Sequence, residues 1–144
     1  MAILSAEELF SDQQAITATA ASTNLYDRLA PGSWVHGSTS IVDDMGNSYV
    51  PMLVQVTEDF NNLTSLQIDF EMDTTDAFSS ATTLYSETVL LADLVAGKKI
   101  RVRWVPHDTT EQYLRFNYTV TGSAPSTGKL TAGFICSEDS WGTR

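Results

Sequence analysis

Three segments of this 144-residue chain alternate apolar and polar residues without interruption, and that pattern leaves little choice of fold. Successive side chains of a strand point to opposite faces, so a period of two writes one buried face and one solvated face. In LQIDFEM, Leu66, Ile68, Phe70 and Met72 point one way and Gln67, Asp69 and Glu71 the other. In KIRVRWV, Ile100, Val102 and Trp104 share the core side while Lys99, Arg101 and Arg103 face out. In YLRFNYTV, Leu114, Phe116, Tyr118 and Val120 alternate with Arg115, Asn117 and Thr119. Burying the four apolar side chains of the first segment contributes roughly 6–12 kcal/mol before the entropy of ordering is counted. These segments predict three strands that share one core.

Shorter runs rich in β-branched and aromatic residues predict further strands at 15–21, 49–57, 82–86 and 129–136, with an eighth around 33–42 interrupted by Pro31, Gly32 and Gly37. Pro51 pushes its strand toward an edge or a bulge. Turn residues separate these runs: Met45-Gly46-Asn47, the stretch 58–62, the stretch 73–76, Ala96-Gly97, and 122–128 with Pro125. Helix is scarce. Ser5 followed by Ala6-Glu7-Glu8 has the form of a capping box that starts one turn through Phe10, and 92–97 predicts another turn stopped by Gly97. The expected fold is all-β: an antiparallel β-sandwich of seven or eight strands, in its most specific form a jelly roll.

A chain of this length buries about two thirds of its unfolded surface, which is one domain's worth. The expected organisation is a single domain, 1–144, with a short N-terminal arm (1–12) and a C-terminal tail (137–144). Cys136 is the only cysteine, so stability rests on packing rather than on an intrachain disulfide. Eighteen acids against eight Lys and Arg give a net charge of -10, a field that repels phosphate backbones and argues against a nucleic-acid partner. No apolar run approaches the ~20 residues a membrane-spanning helix needs, and MAILSAEELF lacks the basic and continuous apolar regions of an export signal. A soluble protein with no membrane partner is expected, in the cytoplasm where it is made.

The residues offer little for catalysis. Cys136 sits on a strand face expected to pack inward, and His36 and His107 fall in loops with no nucleophile motif beside them. The sequence has no Gly-rich phosphate loop, zinc-spaced cysteine pair or His-x-x-x-His helix, so no enzyme, catalytic residue, cofactor or metal is assigned. Asp69, Glu71 and Asp73 alternate along one strand, with Asp76 following, and are read as a solvent-facing stripe. Such oxygens suit a calcium ion in principle, but the spacing is not that of an EF-hand, and a solvated or ion-paired face outweighs an ion site. Lys99, Arg101 and Arg103 form a basic stripe of the same kind. If the two strands are neighbours the stripes pair across them at ~0.2–1 kcal/mol each; if not, the basic stripe is a patch suited to an acidic partner.

Three stretches together carry a family likeness. FSDQQAITATAASTN near the start, VTEDFNNLTSLQIDFEMDTTDAFSSATTLYSE followed by LADLVAGKK in the middle, and YLRFNYTVTGSAPSTGKLTAGFI near the end occur in the order of, and resemble, the small capsid cement (decoration) proteins of tailed bacteriophages. The likeness spans most of the chain and departs from the family pattern at 25–39, which is longer here, and at 137–144. It implies a jelly-roll sandwich, present as homo-oligomers on the outer surface of the virion shell and bridging subunits of the phage major capsid protein. The protein would assemble in the host bacterial cytoplasm, with a homodimer favoured over a trimer because two-fold closure is the commonest symmetry. Candidate capsid or subunit contacts are Phe10, Trp34, Lys99, Arg101, Arg103 and Trp141, with Ile3, Leu4 and Leu9 beside Phe10 as apolar residues for exchange between subunits. The alternative is a carbohydrate-binding or receptor-binding module, since β-sandwiches serve those roles and Trp34 and Trp141 offer stacking rings; a protein interface uses the same tryptophans more commonly. A hydrolase on this fold is the remotest reading.

Overall fold

The computed structural model describes residues 3–28, 50–104 and 111–137. The described residues form nine strands: β1 (Ile3–Ala15), β2 (Ala20–Ala21), β3 (Tyr26–Asp27), β4 (Val50–Glu58), β5 (Leu63–Asp73), β6 (Thr82–Leu90), β7 (Lys99–Trp104), β8 (Tyr113–Gly122) and β9 (Lys129–Ser137), with one turn of 3-10 helix at Leu91–Asp93. They form two antiparallel sheets, one ordered β1-β9-β4-β7 and the other β2-β8-β5-β6, with β3 also paired to β8. The first long strand lies beside the last, and the chain crosses repeatedly between sheets. Counting β2 and β3 as one broken edge, this is the eight-stranded order of a jelly roll.

The firm strands sit as their alternation requires. Leu66, Ile68 and Phe70 of β5, Leu114, Phe116 and Tyr118 of β8, and Ile100 and Val102 of β7 are all buried between the sheets. The side chain of Trp104 lies outside the described residues; its backbone pairs with Val50. The predicted strands at 49–57, 82–86 and 129–136 appear as β4, β6 and β9, with β6 running on to Leu90. The stretch 33–42 and the turn at Met45-Gly46-Asn47 lie outside the described residues.

The N-terminal segment differs from expectation. Residues expected to form an arm with a helical turn instead extend as β1, paired with β9 from Ile3 opposite Ser137 to Ala15 opposite Lys129. One capped turn brings few hydrogen bonds for its nucleation cost, whereas the extended form gains a ladder along β9 and buries Phe10. The ring of Phe10 lies 5.2 Å from Phe116 and 6.0 Å from Phe70, edge-on to both, and 5.3 Å from Phe134. Such aromatic pairs contribute beyond their buried area. The predicted strand at 15–21 is likewise divided. The chain leaves the first sheet at Ala15, buries Ile16 completely, and joins the second sheet as β2.

One buried polar chain locks this crossing. Tyr118 Oη donates to Ser11 Oγ at 2.9 Å, and Ser11 Oγ donates to Gln14 Oε1 at 2.7 Å. Gln14 Nε2 donates to the Ala21 carbonyl at 2.8 Å, which ties β1 to β2. At one end of the sandwich, Asn61 Oδ1 accepts from the backbone of Ser126 and Thr127, and Asp59 Oδ1 accepts from Ala96 N at 2.6 Å. Three loops are thereby fastened together.

Candidate functional site

The two charged stripes belong to different sheets. β7, which carries Lys99, Arg101 and Arg103, is an outer strand of the first sheet and pairs with β4; β5, which carries the acids, is a central strand of the second. The stripes are therefore not neighbours, and the basic one is a surface patch rather than half of a cross-strand ladder. Ile100 and Val102 are anchored in the core, and this parity turns Lys99, Arg101 and Arg103 outward, all three exposed. Opposite them on β4 stand Gln55, Leu53 and Pro51, none of which carries charge. Cations along an outer strand discourage unwanted strand pairing, which gives the stripe a structural use.

The acidic stripe corrects the sequence reading. Asp69, Glu71 and Asp73 lie on one face, as the period demands, but they are buried rather than solvent-facing. β5 is flanked by β8 and β6, whose side chains cover it. Glu71 Oε2 accepts from Arg115 Nε at 3.0 Å, and these residues stand directly opposite in the β5–β8 register. The Arg115 guanidinium in turn stacks 4.1 Å from the centre of the Phe78 ring, a cation–π contact delivered by the loop after β5. Asp69 accepts from Gln67 Nε2 at 3.0 Å on both oxygens. Asp73 accepts from Ser80 N at 2.8 Å and Thr75 N at 3.1 Å, and the Ser80 bond foremost, with the other loop bonds, lowers its pKa from the ordinary carboxylate value. The three carboxylates thus have protein partners, and among the described residues no group of three or more His, Cys, Asp and Glu is set to hold a metal ion.

Phe10 is withdrawn as a contact residue: only 2% exposed, it belongs to the core. Trp34, Trp141, His36 and His107 lie outside the described residues, as does the side chain of Cys136. Sequence reasoning missed a pocket of about 270 Å³ on the flank of the sandwich, lined by Glu8, Leu9, Phe10, Asn24, Leu25 and Tyr26. Asn24 shapes it by donating from Nδ2 to the Leu9 carbonyl at 2.9 Å and from its backbone to the Phe10 carbonyl. Leu25 on its rim is 44% exposed, and Leu90 and Val95, near the 3-10 turn, are also exposed.

The described geometry is that of a packed sandwich with a basic outer strand and internally compensated acids. A search of curated proteins finds no match to this sequence. The sequence profile of the Bbp16 family matches residues 10–137, which run from within β1 to the end of β9, and the chain belongs to the Bbp16 family.

Proposed function

We propose that this protein is a non-enzymatic capsid cement protein of a tailed bacteriophage, bound to the outer surface of the virion shell and bridging neighbouring major capsid subunits. The observation that carries the reading is the exposed row Lys99, Arg101 and Arg103 on a protein of net charge -10. Their strand lies in the other sheet from the acidic stripe, which has partners of its own, and its exposed face presents positive charge suited to a partner with acidic groups. Two further points support the reading. The stretches that resemble cement proteins build the β1–β2 crossing, the β5–β6 pair and the β8–β9 pair, which together make most of the sandwich. The Bbp16 match covers the same body.

The mechanism is linkage. A protein that binds the assembled shell and not its separated subunits stabilises the shell by its binding free energy, and many copies act at once. Self-association as a homodimer adds to this, because a molecule gripping two capsomers gains effective concentration for its second contact.

Co-sedimentation with undecorated shells tests the reading. The parent protein is expected to pellet with shells to saturation. The double variant Arg101→Glu with Arg103→Glu is expected to bind more slowly, with the deficit greatest at low salt, where the Debye length is long. A folded parent that stays in the supernatant at every salt concentration would contradict the proposal, and selective binding on a glycan array would favour the carbohydrate- or receptor-binding alternative.

A further inference from the structure

Four of the chain's eight Lys and Arg fall together, as Lys98, Lys99, Arg101 and Arg103, at the start of and along an outer strand. The other basic residues described are already engaged: Arg115 pairs with Glu71 at 3.0 Å, Lys129 pairs with Glu58 at 3.1 Å, and Arg28 is buried. The backbone of β7 is as regular as its side chains. Val56 N donates to the Lys98 carbonyl at 2.9 Å, and the β4–β7 register runs without a shift from Gln55 opposite Lys99 to Val50 opposite Trp104. Bonded and non-bonded positions alternate along an antiparallel pair. Ile100 and Val102 therefore turn their N–H and C=O groups toward β4, while Lys99, Arg101 and Arg103 turn theirs toward the outer edge. Among the described residues β7 pairs with β4 alone. The same residues thus direct main-chain donors and acceptors along the edge and cations onto the outer face.

We propose that this edge receives an extended acidic segment of another protein as a fifth strand of the first sheet, antiparallel to β7, with carboxylates at every second residue opposite Lys99, Arg101 and Arg103. The inference rests on the reading of the basic row as a contact with another protein, and it names the form the partner takes there. In strand addition, main-chain hydrogen bonds hold the incoming segment and its alternate side chains give specificity. A residue directly opposite a bonded position places its side chain on the same face, so acids in those positions meet the cations, and the residues between them turn inward beside Ile100 and Val102. Charge selects the occupant. A second copy of β7 would set cations against cations, which is destabilising, whereas opposite charges across a pair of strands attract. The other outer positions do not offer this combination: β6 has no Lys or Arg and carries Glu87, β2 and β3 are two residues each, and β1 pairs through repeated register shifts. The net charge of -10 does not cancel the row at contact, because salt screens charges farther away than about 8 Å at physiological ionic strength.

Fluorescence anisotropy of the full chain with a labelled eight-residue peptide that alternates glutamate and valine tests this, with no capsid present. Two methylated forms of the peptide separate strand addition from simple charge attraction. In the proposed pairing the glutamate N–H groups face β7 and the valine N–H groups face away. N-methylation of the glutamates is therefore expected to weaken binding at least tenfold, and N-methylation of the valines to change it little. The double variant Lys99→Glu with Arg101→Glu, at exposed positions, is expected to keep its circular dichroism and lose binding at least tenfold, while gaining affinity for the peptide with lysine in place of glutamate. Equal binding of the two methylated peptides would reduce the row to a charge patch and overturn the inference. So would a parent that binds no peptide up to its solubility at low salt, or binding that the charge-reversed variant retains. Because no shell enters the experiment, such a failure would leave capsid binding untouched, whereas failure to co-sediment with shells would leave strand addition at β7 untouched.

Discussion

Asp73 shows most clearly what a single residue does here. Its carboxylate closes the loop after β5 by accepting from the backbone of Ser80 and Thr75, and its pKa lies below the ordinary 3.8. A carboxylate with a depressed folded-state pKa adds stability that is complete above the unfolded value and is lost as pH falls through the folded value. Asp73→Asn should therefore melt below the parent at neutral pH, with the gap closing as pH falls below about 4; scans at several pH values check this, and a gap independent of pH would contradict it. Phe10, which contacts three other rings, makes a second residue-scale prediction. Phe10→Ala should lose about 3–5 kcal/mol in urea unfolding, the usual cost of deleting a buried aromatic, where a surface contact residue would lose little. Neither role was legible in the sequence. Alternation places Asp69, Glu71 and Asp73 on one face, but the cation that compensates Glu71 comes from β8, and which strand lies beside β5 is a property of the sheet order.

At the scale of elements, legibility followed regularity. β5, β7 and β8 could be read because each keeps one apolar face in strict period. β1 could not, because its pairing with β9 shifts register repeatedly between Ile3 and Gln14, and each shift resets the parity that alternation depends on. Gln13 at φ 45° marks one such irregularity. The local capping-box pattern at Ser5 then suggested a turn that the sheet overrode. Glycines at strand junctions are read more safely by geometry than by type. Gly128, just before β9, has φ 132°, and a Cβ there would meet the Phe60 ring at 2.4 Å. Gly97 has φ 94° with nothing within 4 Å. Gly97→Ala should cost about 1–2 kcal/mol from backbone strain alone, and Gly128→Ala measurably more, because it adds displacement of a core ring. Equal midpoints for the two variants in denaturant would show that Phe60 moves freely and the junction is not packed as described.

Across the whole molecule, the acids of β5 have partners within the second sheet, while Lys99, Arg101 and Arg103 lie exposed on the outer strand of the first. That exposed basic row is the feature on which the proposed binding to another protein rests. The fold class was legible from the chain, whereas the partner rests on the family likeness and the placement of the basic strand. The central claim is tested most directly by the copy number of this protein in purified virions, measured by quantitative mass spectrometry against the major capsid protein. A cement protein on the outer shell should be present in numbers comparable to the major capsid protein. Absence from virions, or the few copies expected of a receptor-binding tip, would contradict the account.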